Sequence, residues 1–156
     1  MGQYVVFKSN DQAFAIDVHV VKRVVESDSF IKIPEVADYV MGVYEYENAM
    51  IPVIDLRQKL FNIPTEMTPE AKVILCRWQD RLLGAYVADI DGIFELQEAN
   101  YEDELRKANL KNGYIDKFLK LNEDVVISLE LDYLFNNEQA GQLLTLDAEP
   151  ELTNHG

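Results

Sequence analysis

Apolar and polar positions alternate along most of the chain, which predicts a protein built largely of β-strands. YVVFKSNDQAFAIDV (residues 4–18) reads strand, Ser-Asn-Asp turn, strand, the pattern of a β-hairpin. In VHVVKRVVE (residues 18–26), Val20, Val21, Val24 and Val25 share a face at helical spacing. Asp17 stands where an N-cap would, so a short helix is expected there, against the β-branched content. FIKIP reads as a short strand. Pro34 then opens a helical turn over PEVADYVM that Gly42 ends as a structural turn residue. IPVIDLRQKLF (residues 51–61) predicts a strand running into a turn or short helix, and NIPTEMTPEA, with two prolines, a linker. AKVILCRW and RLLGAYV form a second hairpin around Gln79-Asp80. GIFEL is a further strand, YEDELRKANLKNG a helix closed by Asn112-Gly113, and DVVISLELDYLF the last strand.

The pattern repeats. VVFKSNDQAFAIDV from Val5 aligns without gaps on ILCRWQDRLLGAYV from Ile74, and GVYEYENAMIPVIDL from Gly42 aligns on KFLKLNEDVVISLEL from Lys117. In each half a hairpin is followed by an acid-bearing turn and a strand that ends in acid-leucine, Asp55-Leu56 or Glu130-Leu131. Two similar β units that pack together favour small antiparallel barrels, because closure removes exposed edges, and their seam forms a natural groove.

Charge narrows the partners. The 156 residues carry 28 Asp and Glu against 14 Lys and Arg, a formal charge of −14, which argues against nucleic acid and anionic membranes. A hydrophobic content of 48% supports a packed core. No apolar run reaches the roughly 18 residues of a membrane span, and MGQYVVFKSN lacks the charged and apolar regions of a signal peptide. The single cysteine, Cys76, excludes an internal disulfide, and a cytoplasmic protein fits these features. No Lys or Arg follows Lys120. The sequence is therefore divided into one domain over residues 1–136 and an acidic, mobile tail over 137–156, where Leu143, Leu144 and Leu146 could form a docking turn.

Catalytic parts are missing. His19 and His155 have no acid or thiol at zinc-ligand spacing. Cys76 shares a strand face with Ile74 and Trp78, as a small buried hydrophobe would. No phosphate-loop, dinucleotide or nucleophile-elbow motif occurs. Asp89 and Asp91 lack the spacing of a calcium loop and fit a turn. The acids Asp116, Glu123 and Asp124 are the material a metal-dependent enzyme would need, and they read as solvated turn residues. These observations point to a binding module, with no enzyme activity, cofactor or metal.

Four stretches, YVVFKSNDQAFAIDVHVVKRVVE, IPEVADYVMGV, IPVIDLRQKLF and VILCRWQDRLLGAYVADIDGIFEL, resemble the CheW-type coupling proteins of bacterial chemotaxis in order and spacing. The late KFLKLNEDVVISLELDYLF extends the resemblance over nearly the whole chain. It implies a mostly β fold of two intertwined five-stranded, SH3-like β-barrels with short helices. It also implies a monomeric, non-enzymatic adaptor joining the cytoplasmic tip of a chemoreceptor to the regulatory domain of a CheA-type histidine kinase. Such an adaptor would sit at the inner face of the membrane through receptor arrays, without inserting. A divergent paralogue serving another sensory or motility pathway, or a domain docking only the kinase, are the alternatives. On the family pattern, a groove that accepts the helical receptor tip would use Val21, Val24, Val73, Leu83 and Gly84.

Two positions depart from that pattern. The family's turn before IPVIDLR usually carries Asn, Leu, Arg and Gly where this chain has Glu45, Tyr46, Glu47 and Asn48. Asn48 can adopt the left-handed conformation that the glycine provides. Arg23 stands where the family usually has an acid. The acid and base are exchanged, so Arg23 and Glu47 are expected to lie together at the groove as a charge-reversed pair.

Overall fold

The computed structural model describes residues 2–27, 29–99 and 113–148. Its strands are β1 (Gly2–Ser9), β2 (Gln12–Asp17), β3 (Val21–Val25), β4 (Val40–Tyr46), β5 (Ala49–Asp55), β6 (Lys72–Trp78), β7 (Arg81–Val87), β8 (Ile90–Glu98), β9 (Ile115–Leu121) and β10 (Asp124–Leu129). Two α-helices, α1 (Leu56–Phe61) and α2 (Asn137–Ala148), and two 3-10 turns at Val18–Val20 and Leu131–Tyr133 complete the described elements.

The strands form a closed barrel, β1-β2-β10-β9-β8, and a five-stranded sheet, β3-β6-β7-β5-β4. The first hairpin therefore pairs with the last strands, and the middle of the chain builds the second unit. This is the mostly β, two-unit architecture that the repeat predicted, with one unit closed as a barrel and the other an open sheet. The repeat also holds at the level of register. Tyr4↔Asp17 in β1–β2 recurs as Val73↔Tyr86 in β6–β7. Tyr44↔Ile51 in β4–β5 recurs as Leu119↔Val126 in β9–β10, and each ladder shifts at the same point, Val40/Gly42 or Ser128/Leu129. The parallel pair Ser128↔Ala15 recurs as Val53↔Gly84.

Three cores follow from this layout. Tyr4, Val6, Ala15, Leu96, Leu119 and Val126 fill the barrel. Ile51, Val53, Val73, Leu75 and Tyr86 fill the concave side of the second sheet. Between them lies a shared slab that includes Phe7, Phe14, Ile16, Ile54, Leu56, Ile74 and Leu83. Central strands thus bury both faces, and a one-residue slip would move every side chain into the wrong core. Cys76 lies in the slab with Ile74 and Trp78, as expected, and burial pushes its thiol up to about 12.

Several expected elements are corrected. The valine-rich segment is not a helix. Asp17 accepts from His19 N at 2.9 Å and caps only the Val18–Val20 turn, after which Val21–Val25 pairs with β6 as β3. β-branched side chains favour that pleated surface over a helix. FIKIP contributes a single bridge, Ile31↔Val43. Residues 34–35 and 38–39 form turns, and Gly42 does not end a helix. It sits at the shift in β4 with φ +138°, where a Cβ would lie 2.3 Å from the Ile31 carbonyl oxygen. β4 and β9 are strands where an acid-bearing turn alone was read. The helix expected over residues 101–113 lies outside the described residues except for Gly113, which is in a turn.

The tail reading is corrected over Asn137–Ala148, which forms α2. Asn136 and Gln139 cap it reciprocally, each backbone N–H donating to the other's side chain, at 3.0 and 2.8 Å. Leu143 is 1% exposed, and Ala140, Leu144 and Leu146 pack with it against the slab. That burial offsets the cost of ordering the segment. No described helix is long and apolar enough to cross a membrane.

Candidate functional site

Asp55 shows what the end of IPVIDLR does for the fold. It is 6% exposed, caps α1 by accepting from Gln58 N at 3.2 Å, and accepts from Thr65 N at 2.8 Å and from the Thr65 hydroxyl at 2.5 Å. One carboxylate thereby ends β5, starts α1 and fixes the 62–71 linker. Its counterpart Glu130 caps the second 3-10 turn without a side-chain bond. Burial and the neighbouring Asp116 and Asp132 raise its pKa above the ordinary glutamate value.

A broad groove of about 790 Å³ lies where several elements converge. Lys22 enters from β3, Glu47 from the β4–β5 turn, Arg77 and Asp80 from the β6–β7 hairpin and Asp132 from the second 3-10 turn. Leu82 adds apolar surface, with the buried Trp78 beneath. Trp78 is 2% exposed and its indole N–H is buried without a hydrogen-bond partner. Arg77 donates to the His19 carbonyl at 3.0 Å, tying the hairpin to the turn before β3. Both turns are two-residue hairpins with left-handed residues, Glu47 and Asn48 at φ 50° and 66°, Gln79 and Asp80 at φ 52° and 61°. These tight turns project Glu47 and Asp80 rigidly into the groove. Bases and acids are interspersed, so the groove fits a polar partner with both charges, and Leu82 offers it an apolar contact.

The expected site residues divide into two groups. Val73 and Leu83 are fully buried, the first in the second sheet's own core and the second in the slab. Gly84 is buried too, and a Cβ there would lie 2.9 Å from Val73 Cγ1 and 3.1 Å from Val53 Cγ2. The close approach that requires this glycine comes from the protein's own side chains. These three residues therefore present no groove surface. Val21, Arg23 and Val24 lie on β3, with Arg23 and Val24 exposed, and Glu47 is exposed in its turn. A hydrogen bond with Tyr46 raises the Arg23 pKa first, and the Glu47 charge adds to the shift. Arg23 and Glu47 thus share one field, but they are not among the ion pairs within 4.0 Å between described residues. Sequence reasoning missed Lys22, Arg77 and Asp80. The hairpin turn Gln79-Asp80 was legible, but nothing in the sequence places it beside Glu47.

Comparison with known proteins is consistent with this architecture. The family model of the CheW-like domain matches residues 3–139. A chemotaxis protein CheW of Bacillus subtilis is 31% identical over 99 residues, which span 63% of each chain. A chemotaxis protein CheW of Thermotoga maritima is 27% identical over 127 residues, covering 81% of this chain and 82% of that one. The crystal structure of the scaffolding protein TtCheW from Thermoanaerobacter tengcongensis shares the fold, with a TM-score of 0.73 at 18% identity over 88% of this chain and 90% of that one. The two-unit β fold and the match over most of its length make this chain a member of the CheW-like domain family.

Proposed function

We propose that the chain is a non-enzymatic scaffold of bacterial chemotaxis signalling that couples a chemoreceptor's cytoplasmic tip to a CheA-type histidine kinase. The observation that carries this reading is the groove of Lys22, Glu47, Trp78 and Asp80 beside the exposed β3 edge, in a chain of the CheW-like family. Helix-in-groove docking combines apolar contact with flanking charge, and Leu82 beside Lys22, Glu47 and Asp80 offers that combination. The kinase regulatory domain is the second partner, and holding both at once lets weak contacts build an array at the inner face of the membrane. The protein acts in the cytoplasm and is monomeric on its own.

Arg23 and Glu47 favour a variation on this reading. A receptor tip that presents an acid to the family's usual arginine meets Glu47 here, and the like charges weaken binding. The chain then serves a receptor of altered charge, in the main array or a parallel pathway. Calorimetry with a receptor-tip hairpin and with the kinase regulatory domain, separately and together, tests the proposal. Simultaneous binding of both, with Lys22→Glu weakening only the receptor arm, is expected. Binding of the kinase alone would replace coupling by kinase docking, and binding of neither would remove the reading.

A further inference from the structure

Arg57, the base that closes IPVIDLR, is used by neither the core nor the groove. It borders a separate, small cavity of about 40 Å³, with Lys8, Ser9 and Asn10 from the β1–β2 hairpin, Thr65 from the linker and the end of β7. Ser9 is 6% exposed, and its Oγ is buried without a hydrogen-bond partner. Arg57 Nε is buried and unpartnered as well. Native proteins rarely leave buried donors unmet, and two orphans on one cavity point to an occupant.

The lining decides its charge. Lys8 and Arg57 are the charged residues around the cavity, and no acid lines it, in a chain with twice as many acids as bases. Neither base belongs to an ion pair among the described residues. Arg57 Nε–H can only donate, and Lys8 likewise. The Asp55 carboxylate accepts from Gln58 and Thr65, so both of its oxygens are engaged. Size sets the rest, since a space of about 40 Å³ suits an occupant of one or a few atoms.

We propose that this cavity binds one small inorganic anion of halide size, held by Arg57 Nε–H and the Ser9 hydroxyl with Lys8 at the rim. The ion joins the first hairpin of the closed barrel to α1 and β7 of the second unit. It would fasten the two halves where their chains cross. An ion bound only by the folded protein raises stability with its concentration.

Thermal melts of the full chain in chloride and in gluconate, at matched ionic strength, provide the first test. The wild type is expected to melt roughly 2–5 °C higher in chloride. Arg57→Gln should abolish the difference and Ser9→Ala should reduce it. Crystals soaked in bromide should show an anomalous peak between Ser9 Oγ and Arg57 Nε. A water there with no anomalous peak, or an equal chloride response in wild type and Arg57→Gln, overturns the proposal. If Arg57→Gln fails to fold, Ser9→Ala and the bromide map decide it, because the serine change removes only one hydroxyl.

Discussion

The closed barrel and the open sheet share their ladder registers and part at one seam. β8 has nine residues and reaches β9 through Gln97↔Lys120 and Glu98↔Leu119, which closes the barrel. Its counterpart β3 has five residues, stops at Val25, and forms no ladder with β4. Both strands carry a shift at the same register, but the residue after it is Gly92 opposite Val6 in the barrel and Arg23 opposite Leu75 in the sheet. Where one unit has a glycine and a backbone ladder, the other has a long base whose charge is favoured by Tyr46 and Glu47. Pairing is preserved wherever both faces are buried, because register there is over-determined. The freed edge is the one that carries Arg23 and, through Lys22, borders the groove.

The largest effect should come from a glycine that only one unit needs. Gly42 and Lys117 occupy equivalent positions at the two shifts. Only Gly42 has positive φ, and only there does the Ile31 carbonyl press on the missing Cβ. Gly42→Ala should cost about 3–5 kcal/mol, from strain and a backbone clash. Lys117→Ala loses a partly exposed contact with Glu98 at 3.4 Å and should stay within about 1 kcal/mol in urea melts. Equal effects would mean that the Ile31 crossing does not distinguish the halves.

The paired acids come next. Asp55→Ala orphans the Gln58 and Thr65 donors and should cost about 2–4 kcal/mol. Glu130→Gln should stabilise at neutral pH. The folded-state pKa of Glu130 is raised, so its contribution is full below the ordinary glutamate range and is lost as pH rises through the folded value. The gain from Glu130→Gln should therefore shrink towards acid pH. A gain independent of pH would refute the burial and charge explanation.

Much of this fold was legible because short-range rules set it. Asn10-Asp11 and Gln79-Asp80 announce two-residue turns, and the ungapped repeat carries the register of both hairpins. The valine run was ambiguous because Val20, Val21, Val24 and Val25 satisfy helical spacing, while the pairing that selects a strand lies in β6, far along the chain. Groove residues were harder to read. β6 and β7 bury both faces, so Val73, Leu83 and an exposed apolar docking residue look alike in sequence. α2 carried a readable signal, Asn136-x-x-Gln139 ahead of Ala140 and Leu143, hidden by acidic composition and Gly141.

α2 sharpens the comparison in a second way, since it packs on the slab beside β5 of the open unit. Leu143→Ala should cost about 2–3 kcal/mol, the lower part of the range for a core leucine, because the helix can settle onto the vacancy. Ending the chain after Phe135 should cost at least as much. A melting temperature unchanged by both would return the segment to the status of an unattached tail.

The smallest effect on stability should come from the seam itself, where the effect on binding is largest. Arg23 is exposed on β3, and its guanidinium is held above the ordinary arginine range chiefly by Tyr46, with Glu47 adding charge. An exposed contact of this kind has little weight in folding, so Arg23→Glu should leave the urea midpoint within error. It should still act on the groove, because Glu47 would then face a second acid across the seam and lose the base that shares its field. Glu47→Arg alone places two bases there, while Tyr46 can still accept from either. Each single change should weaken receptor-tip binding, and the double change Arg23→Glu with Glu47→Arg should recover it and shift preference towards tips that present an acid. Tyr46→Phe separates the two contacts: if the hydrogen bond positions Arg23, it should reduce the coupling between positions 23 and 47 in a double-mutant cycle. Additive single changes, with the double variant binding no better than either, would show that Arg23 and Glu47 act independently and that the open seam holds no charge-reversed pair.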